Sequence, residues 1–246
     1  MHVEADACLW DTHKLYEQIG NGMVTVMTPE DLRARRVVLF DFDGTVADTA
    51  RAVITSTEKT LKDHGFTREE MGDLRRMIGP PLRDSFHDFY GFSREDSEIV
   101  ADEYRAYFNT LPASEYPAFP GIPELLDALA ARGRTLAVAT SRMEDKALLM
   151  IEELGLTQFS AICGMNPEEG RLTKMDSIRD ALAKLGAKPD EAVMVGDRKH
   201  DVLGAHAYGV PCIGIYSGGA ISGEHEEAGA DAIVHSVAEL SDLLLG

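Results

Sequence analysis

Val37-Val38-Leu39-Phe40-Asp41-Phe42-Asp43-Gly44-Thr45 is an apolar, partly β-branched run that ends in two aspartates one residue apart, followed by Gly-Thr. A short apolar run with helical patterning after it predicts a strand buried on both faces of a parallel sheet. Packing asks for no carboxylates at the end of such a strand, and holding two close together there costs stability. In open α/β sheets, however, the carboxyl ends of the strands are where ligands bind. Two acids there suit a hard cation, or a division of labour between a nucleophile and an acid/base. Asp-Gly is also an ordinary turn signal, so the run must be weighed with the rest of the chain.

At 246 residues the chain has room for one large domain, or for a core domain carrying an insertion. Its formal charge of −18 argues against a sequence-nonspecific nucleic-acid binder and against adhesion to an anionic membrane. An anionic substrate would therefore need local help from a metal or a few placed cations. Cys8, Cys163 and Cys212 are odd in number and scattered, which predicts buried thiols in a reducing compartment. No apolar run reaches membrane-spanning length, and the N-terminus has no secretory pattern, so a cytoplasmic protein is expected.

Residues 1–35 read as an N-terminal extension. In it Leu15, Tyr16 and Ile19 could line a short helix ended by Gly20-Asn21-Gly22, and Thr28-Pro29-Glu30-Asp31 has the form of a helix start. After the first strand, residues 48–116 are helical throughout. Val53, Ile54, Thr57 and Leu61 recur at helical spacing, and Thr67–Glu70 and Ser93–Asp96 resemble capping boxes. The stripe Val100, Tyr104, Tyr107, Phe108 reads as helix-packing core. From residue 117 onward, strands near 135–139, 160–163, 192–195, 211–215 and 232–234 alternate with helices near 122–132, 144–154, 175–185, 200–208 and 236–245. That alternation predicts an α/β fold, a Rossmann-like parallel sheet with helices on both faces formed by residues 36–47 and 117–246, interrupted by an inserted helical domain at 48–116.

The later strand ends carry further polar groups. Strand 135–139 runs into Thr140-Ser141-Arg142, whose hydroxyls and amides could hold an anion or cap the following helix. Strand 192–195 ends in Gly196-Asp197, with Asp201 one helical turn on, either beside Asp197 or as a first-turn acid favoured by the helix dipole. Lys174 opens a helix, where a cation opposes the dipole; it could neutralise the carboxylates and hold a phosphate, or be a surface lysine.

These motifs, in this order, resemble the haloacid dehalogenase-like superfamily of phosphohydrolases over roughly residues 36–246. They are Asp41-Phe42-Asp43-Gly44-Thr45, Thr140 after a strand, Lys174, and Gly196-Asp197 with Asp201. The resemblance implies Asp41 as nucleophile, forming an aspartyl-phosphate, and Asp43 as acid and then base. It implies Mg²⁺ held by Asp41, the main-chain carbonyl of Asp43, and Asp197. Thr140 and Lys174 would bind the phosphoryl oxygens, with Gly44, Thr45 and Ser141 supporting phosphate binding and Gly196 and Asp201 supporting the metal shell or Lys174. The resemblance further implies a phosphatase or phosphomutase rather than a dehalogenase, because dehalogenase members lack an acid at the position of Asp43. The helical insertion matches the family's cap, in which Ile78-Gly79-Pro80-Pro81-Leu82 is a candidate substrate loop and Arg83 a candidate anion contact; an ordinary turn between cap helices is the other reading.

The stretch Met194–Ala205 and the string around Gly121 look most like the branch of phosphoglycolate phosphatases and similar bacterial nucleotidases. Met175-Asp176 after Lys174 departs from the proline common there. The expected activity is thus a Mg²⁺-dependent phosphatase for a small phosphorylated metabolite, acting as monomer or homodimer. The alternatives are a 5′-nucleotidase-type hydrolase, a sugar phosphomutase, and a non-catalytic binding protein of the same fold.

Overall fold

The computed structural model describes residues 27–79 and 81–246; the short helix expected around Leu15, Tyr16 and Ile19 lies outside the described residues. Helix α1 (Pro29–Arg33) starts as the sequence indicates, with Thr28 and Asp31 closing a capping box. Strand β1 (Val37–Phe40) is buried along its whole length. It is flanked on one side by β2 (Thr135–Met143) and on the other by β4 (Ala192–Gly196). With β3 (Phe159–Met165), β5 (Cys212–Ile215) and β6 (Ala232–Val234), they form one parallel sheet in the order β3-β2-β1-β4-β5-β6.

Alternation along β1 feeds two cores. Val38 and Phe40 pack with Leu136, Val138, Val193 and Val195 under α6 (Ile122–Ala131) and α11 (Val237–Leu245). Val37 and Leu39 pack with Ala137, Ala192 and Met194 against α8 (Lys174–Leu185) and α9 (Lys199–Ala207). Burial of both faces is what makes the strand read as a continuous apolar run.

Between β1 and β2 the chain is helical: α2 (Ala50–Asp63), α3 (Arg68–Met71), α4 (Leu82–Tyr90) and α5 (Arg94–Phe108). Thr67 and Ser93 cap α3 and α5 through Glu70 N and Asp96 N. Of the stripe, Val100, Tyr104 and Phe108 are core, while Tyr107 is only half-buried with Lys59 Nζ over its ring; Phe86, Tyr104, Phe108 and Tyr116 pack edge to face, tilted or stacked with centroids 6.0–6.2 Å apart. The two chain segments joining this insertion to the sheet are stitched together. Asp48 N donates to Pro117 O at 2.8 Å, and Phe119 N donates to Val46 O at 2.9 Å.

Three elements differ from the sequence reading. Strand β2 runs on to Met143 because Met143 still pairs with Met165 of β3 across an irregular register. The cap of α7 (Glu144–Glu153) is consequently Met143, without a side-chain hydrogen bond, so neither Thr140 nor Ser141 is a helix cap. A short helix, α10 (Glu224–Ala228), which the periodicity does not announce, follows β5. Cys163 and Cys212 are free and buried, and no helix among the described residues is long and apolar enough to cross a membrane.

Candidate active site

Strand register brings distant residues to one edge. Phe40 is level with Val138 on β2 and Val195 on β4. Asp41 therefore emerges beside Ala139 and Gly196, with Thr140 and Asp197 one residue further on. The amide of Asp41 still donates to Val195 O at 2.8 Å, which fixes the backbone at the point where the chain leaves the sheet. The connection order changes direction between β1 and β4, the topological switch point at which α/β sheets bind ligands.

Lys174 Nζ lies at the centre of this edge, 2.7 Å from Asp41 Oδ1 and 2.7 Å from Asp201 Oδ1, and donates to Ala139 O at 3.1 Å. Helix α8 can deliver the cation inward because Thr173 and Asp176 form a capping box that satisfies its first turn. Gly204 leaves the space that the lysine stem occupies; a Cβ there would meet Lys174 Cγ at 2.7 Å. Asp197 accepts from Gly219 N at 2.7 Å, and Thr45 Oγ1 donates to its other oxygen at 3.5 Å. Asp41, Asp197 and Asp201 can each bring an oxygen within 4.8 Å of the others, and all three are buried.

Three buried carboxylates crowd together and only two of them, Asp41 and Asp201, pair with the one ammonium, and the electrostatics follow. Burial, joined by the charge of Asp201, pushes Asp41 up to about 6 in spite of Lys174. Asp197 is raised well above the ordinary carboxylate range, first by burial and then by the charges of Asp201 and Asp41. Burial works to lower Lys174, but Asp201 and Asp41 outweigh it and hold the ammonium charged.

The turn after Asp41 separates it from Asp43. Ala47 N returns to Phe42 O at 2.9 Å, and Gly44 adopts φ +78, where an added Cβ would lie 2.2 Å from Asp197 Oδ2. A side chain at 44 would collide with Asp197, so glycine is required. The Asp43 carboxylate is not among the three converging acids and forms a fork–fork pair with Arg142, with Nε to Oδ2 at 2.8 Å and Nη2 to Oδ1 at 2.6 Å. Burial alone would raise Asp43; the charge and hydrogen bonds of Arg142, helped by the Thr49 hydroxyl, hold it below the usual range. The main chain of Arg142 also touches Thr140, its N donating to Thr140 Oγ1 at 3.2 Å.

The other sequence candidates fall as follows. Thr140 is buried at the strand end and its carbonyl accepts from Ser177 Oγ at 3.1 Å. Ser141 is exposed. Gly196 lies against Asp201, whose carboxylate a Cβ would overlap. Arg83 is half exposed and pairs with Glu98 on α5, a contact within the insertion rather than at the strand ends.

The sequence reading missed Arg142, the loop Ser217-Gly218-Gly219 and Arg198. Ser217 Oγ donates to Gly44 O at 2.7 Å, and Gly218 packs so closely that a Cβ would lie 2.2 Å from Asp197 Oδ2. Arg198 bonds Glu224 at 3.0 Å and donates to Ile78 O at 3.1 Å, joining the loop before α4 to the core. Glycines directly after β5 were the available signal; nothing local distinguishes Arg142 or Arg198 from surface arginines.

Comparison with known proteins agrees with this geometry. A family model for haloacid dehalogenase-like hydrolases matches residues 38–215. A 5′-nucleotidase of Pseudomonas aeruginosa is 36% identical over 84% of this chain and 92% of its own length. A phosphoglycolate phosphatase of Agrobacterium fabrum is 30% identical over 74% and 81%. The crystal structure of a predicted phosphatase from Clostridium acetobutylicum superposes with a TM-score of 0.77 at 37% identity, covering 86% of this chain and 98% of that one. With the motif order, the sheet and the strand-end cluster in agreement, the chain belongs to the haloacid dehalogenase-like hydrolase family and is a phosphatase within it.

Proposed function

We propose that the protein is a Mg²⁺-dependent phosphomonoester hydrolase for a small phosphorylated metabolite and works through an aspartyl-phosphate on Asp41. The observation that carries this reading is the unequal treatment of two acids on one turn. Asp41 faces Lys174 in the buried cluster, whereas Asp43 is held apart from it.

The donor set fits a hard divalent cation. Asp41 Oδ1 and Asp201 Oδ1 are buried and accept no aligned hydrogen bond, although each is ion-paired with Lys174, and the cluster carries more negative charge than one lysine offsets. Asp41, Asp197 and the main-chain carbonyl of Asp43 would hold Mg²⁺, with Asp201 orienting Lys174. When bound, the cation would neutralise carboxylate and phosphoryl charge.

In the first step an Asp41 carboxylate oxygen forms a bond to phosphorus as the ester P–O bond breaks; Asp43, ionised while it is paired with Arg142, would leave that fork, take a proton from solvent and give it to the departing oxygen. In the second, Asp43 takes a proton from water, whose oxygen attacks phosphorus and releases phosphate from Asp41. Lys174 and Thr140 would offset charge on the phosphoryl oxygens, with Gly44 and Thr45 shaping the turn. Ser141, being exposed, would reach only the outer part of the substrate, and Arg83 has no part in this reading. The helical insertion, residues 48–116, would act as a cap that excludes water.

Phosphoglycolate-like substrates are the first reading. Nucleoside monophosphates are the second, favoured by the higher identity to the 5′-nucleotidase. A panel of phosphorylated metabolites with Mg²⁺ tests both. Phosphate release from phosphoglycolate or a nucleoside monophosphate supports hydrolysis and selects between them; an isomerised sugar phosphate without release overturns it in favour of a mutase.

A further inference from the structure

Asp197 is the one acid of the strand-end cluster without a cation of its own. Asp41 and Asp201 each meet Lys174 Nζ at 2.7 Å, whereas Asp197 makes no ion pair among the described residues. Its one short hydrogen bond comes from Gly219 N, at 2.7 Å to Oδ2, while Thr45 Oγ1 stands 3.5 Å from Oδ1. An amide aimed at one oxygen fixes how a carboxylate is turned and favours its charged form. The orientation of Asp197 therefore depends on a loop outside the motifs that mark the site.

Apolar packing does little to hold that loop. No residue from Tyr216 to Gly223 is buried, and Ile221 is 72% exposed. Ser217 Oγ tethers its start to Gly44 O at 2.7 Å. Its end is held by the buried carboxylate of Glu224, at the start of α10. Oε2 accepts from Ile221 N at 3.0 Å, and Oε1 accepts from Lys199 N at 2.8 Å and Arg198 Nε at 3.0 Å. Ile221 is two residues beyond Gly219, and Lys199 is two residues beyond Asp197. Glu224 thus bridges the same two segments that Gly219 N and Asp197 Oδ2 join, one step further along each. Burial works to raise Glu224, but the amides of Lys199 and Ile221 and the Arg198 guanidinium outweigh it, so both oxygens remain acceptors.

We propose that Glu224 is a positioning residue for the metal site: by clamping the loop after β5 to the start of α9, it holds Gly219 N on Asp197 and so fixes the carboxylate that the cation would use. This rests on the Mg²⁺ role given to Asp197 above.

Calorimetric titration of Mg²⁺ into substrate-free protein reads binding without turnover, and hydrogen exchange over residues 217–223 reads the loop. Glu224→Ala should raise the Mg²⁺ Kd about 30-fold, the scale of losing a group that orients a metal ligand. It should also speed loop exchange by about 10-fold. Glu224→Gln keeps the shape but sets an NH₂ group against an amide donor, so its Kd should rise about 3- to 10-fold. Gly219→Pro removes the donor itself, leaves Glu224 in place, and should raise the Kd about 10- to 30-fold.

A lowered Tm or faster loop exchange in Glu224→Ala with an unchanged Mg²⁺ Kd would make Glu224 an anchor of the fold alone and overturn the proposal. Should Glu224→Ala show no cooperative melt, the other two variants decide: a Kd within about 2-fold of wild type in both overturns it. Wild-type protein that binds no Mg²⁺ would instead sink the metal reading of the cluster itself.

Discussion

The floor of the site and its rim are built on different terms. The floor is made only of core residues: Asp41, Asp197, Asp201 and Lys174 are buried, come from β1, the β4 end, α9 and α8, and share charge among themselves. The rim is made of core arginines that reach the insertion, Arg142 on Phe108 and Arg198 on Ile78 O, with Arg142 also gripping Asp43 inside the core. The floor carries the electrostatic cost of crowded buried carboxylates, while the rim holds paired, partly exposed groups. A buried ion pair left with one partner is costly, whereas a rim contact is tuned by degrees.

The floor is where the largest losses are expected. Asp41→Asn should lower turnover by about 10⁴-fold or more while circular dichroism and melting remain native-like. Normal turnover would break the floor as the seat of chemistry.

Chelation should come next. EDTA should abolish phosphate release and Mg²⁺ restore it, with Mg²⁺ also raising the Tm. The pH dependence has a definite sign. Asp41 and Asp197 are raised, so the folded protein keeps protons that the unfolded chain has lost. Their contribution to stability is whole below the ordinary carboxylate pKa and is lost as pH climbs, for Asp41 through about 6. The Tm gain from Mg²⁺ should therefore be larger at pH 8 than at pH 5, and a gain that shrinks with rising pH would contradict the cluster's role.

Lys174→Met strands two buried acids, so it should cost about 3 kcal/mol in urea unfolding and about 10²–10³-fold in kcat. A variant as stable as wild type would show that the lysine does not balance the floor.

On the rim, Arg198→Met should mainly raise KM, by about 3- to 10-fold, because it releases the loop at Ile78 and leaves the chemistry in place. A fall in kcat alone would move Arg198 into the floor. Arg83→Ala should change kcat/KM by less than about 2-fold, since its partner Glu98 is also half exposed; a large loss would restore it as an anion contact.

The floor was legible in the sequence because each member stands at a strand end or helix start that periodicity can locate: Asp41 after an apolar run, Asp197 beside Gly196, Lys174 where a cation opposes the dipole. The rim was not. Arg142 looks like the first residue of a helix-start loop until β2 is seen to continue to Met143, a consequence of pairing with β3 that local sequence does not encode. Arg198 acquires meaning only through Ile78, 120 residues away. Arg83 is the converse case, a cation placed by its neighbours in sequence that α4 turns toward Glu98. Side chains that face a neighbour on the same element can be read from spacing; those that cross between elements wait for the fold.

The helical insertion leaves and rejoins the sheet at two points bonded to one another, Asp48 to Pro117 and Val46 to Phe119. To the sheet, the insertion is thus a loop whose ends are already closed, however many residues it contains, and its length adds little strain at the junction. Such a module can be exchanged, shortened or rebuilt without altering strand register. On the proposed reading, new substrate ranges would arise by trading this module while the strand-end cluster is kept.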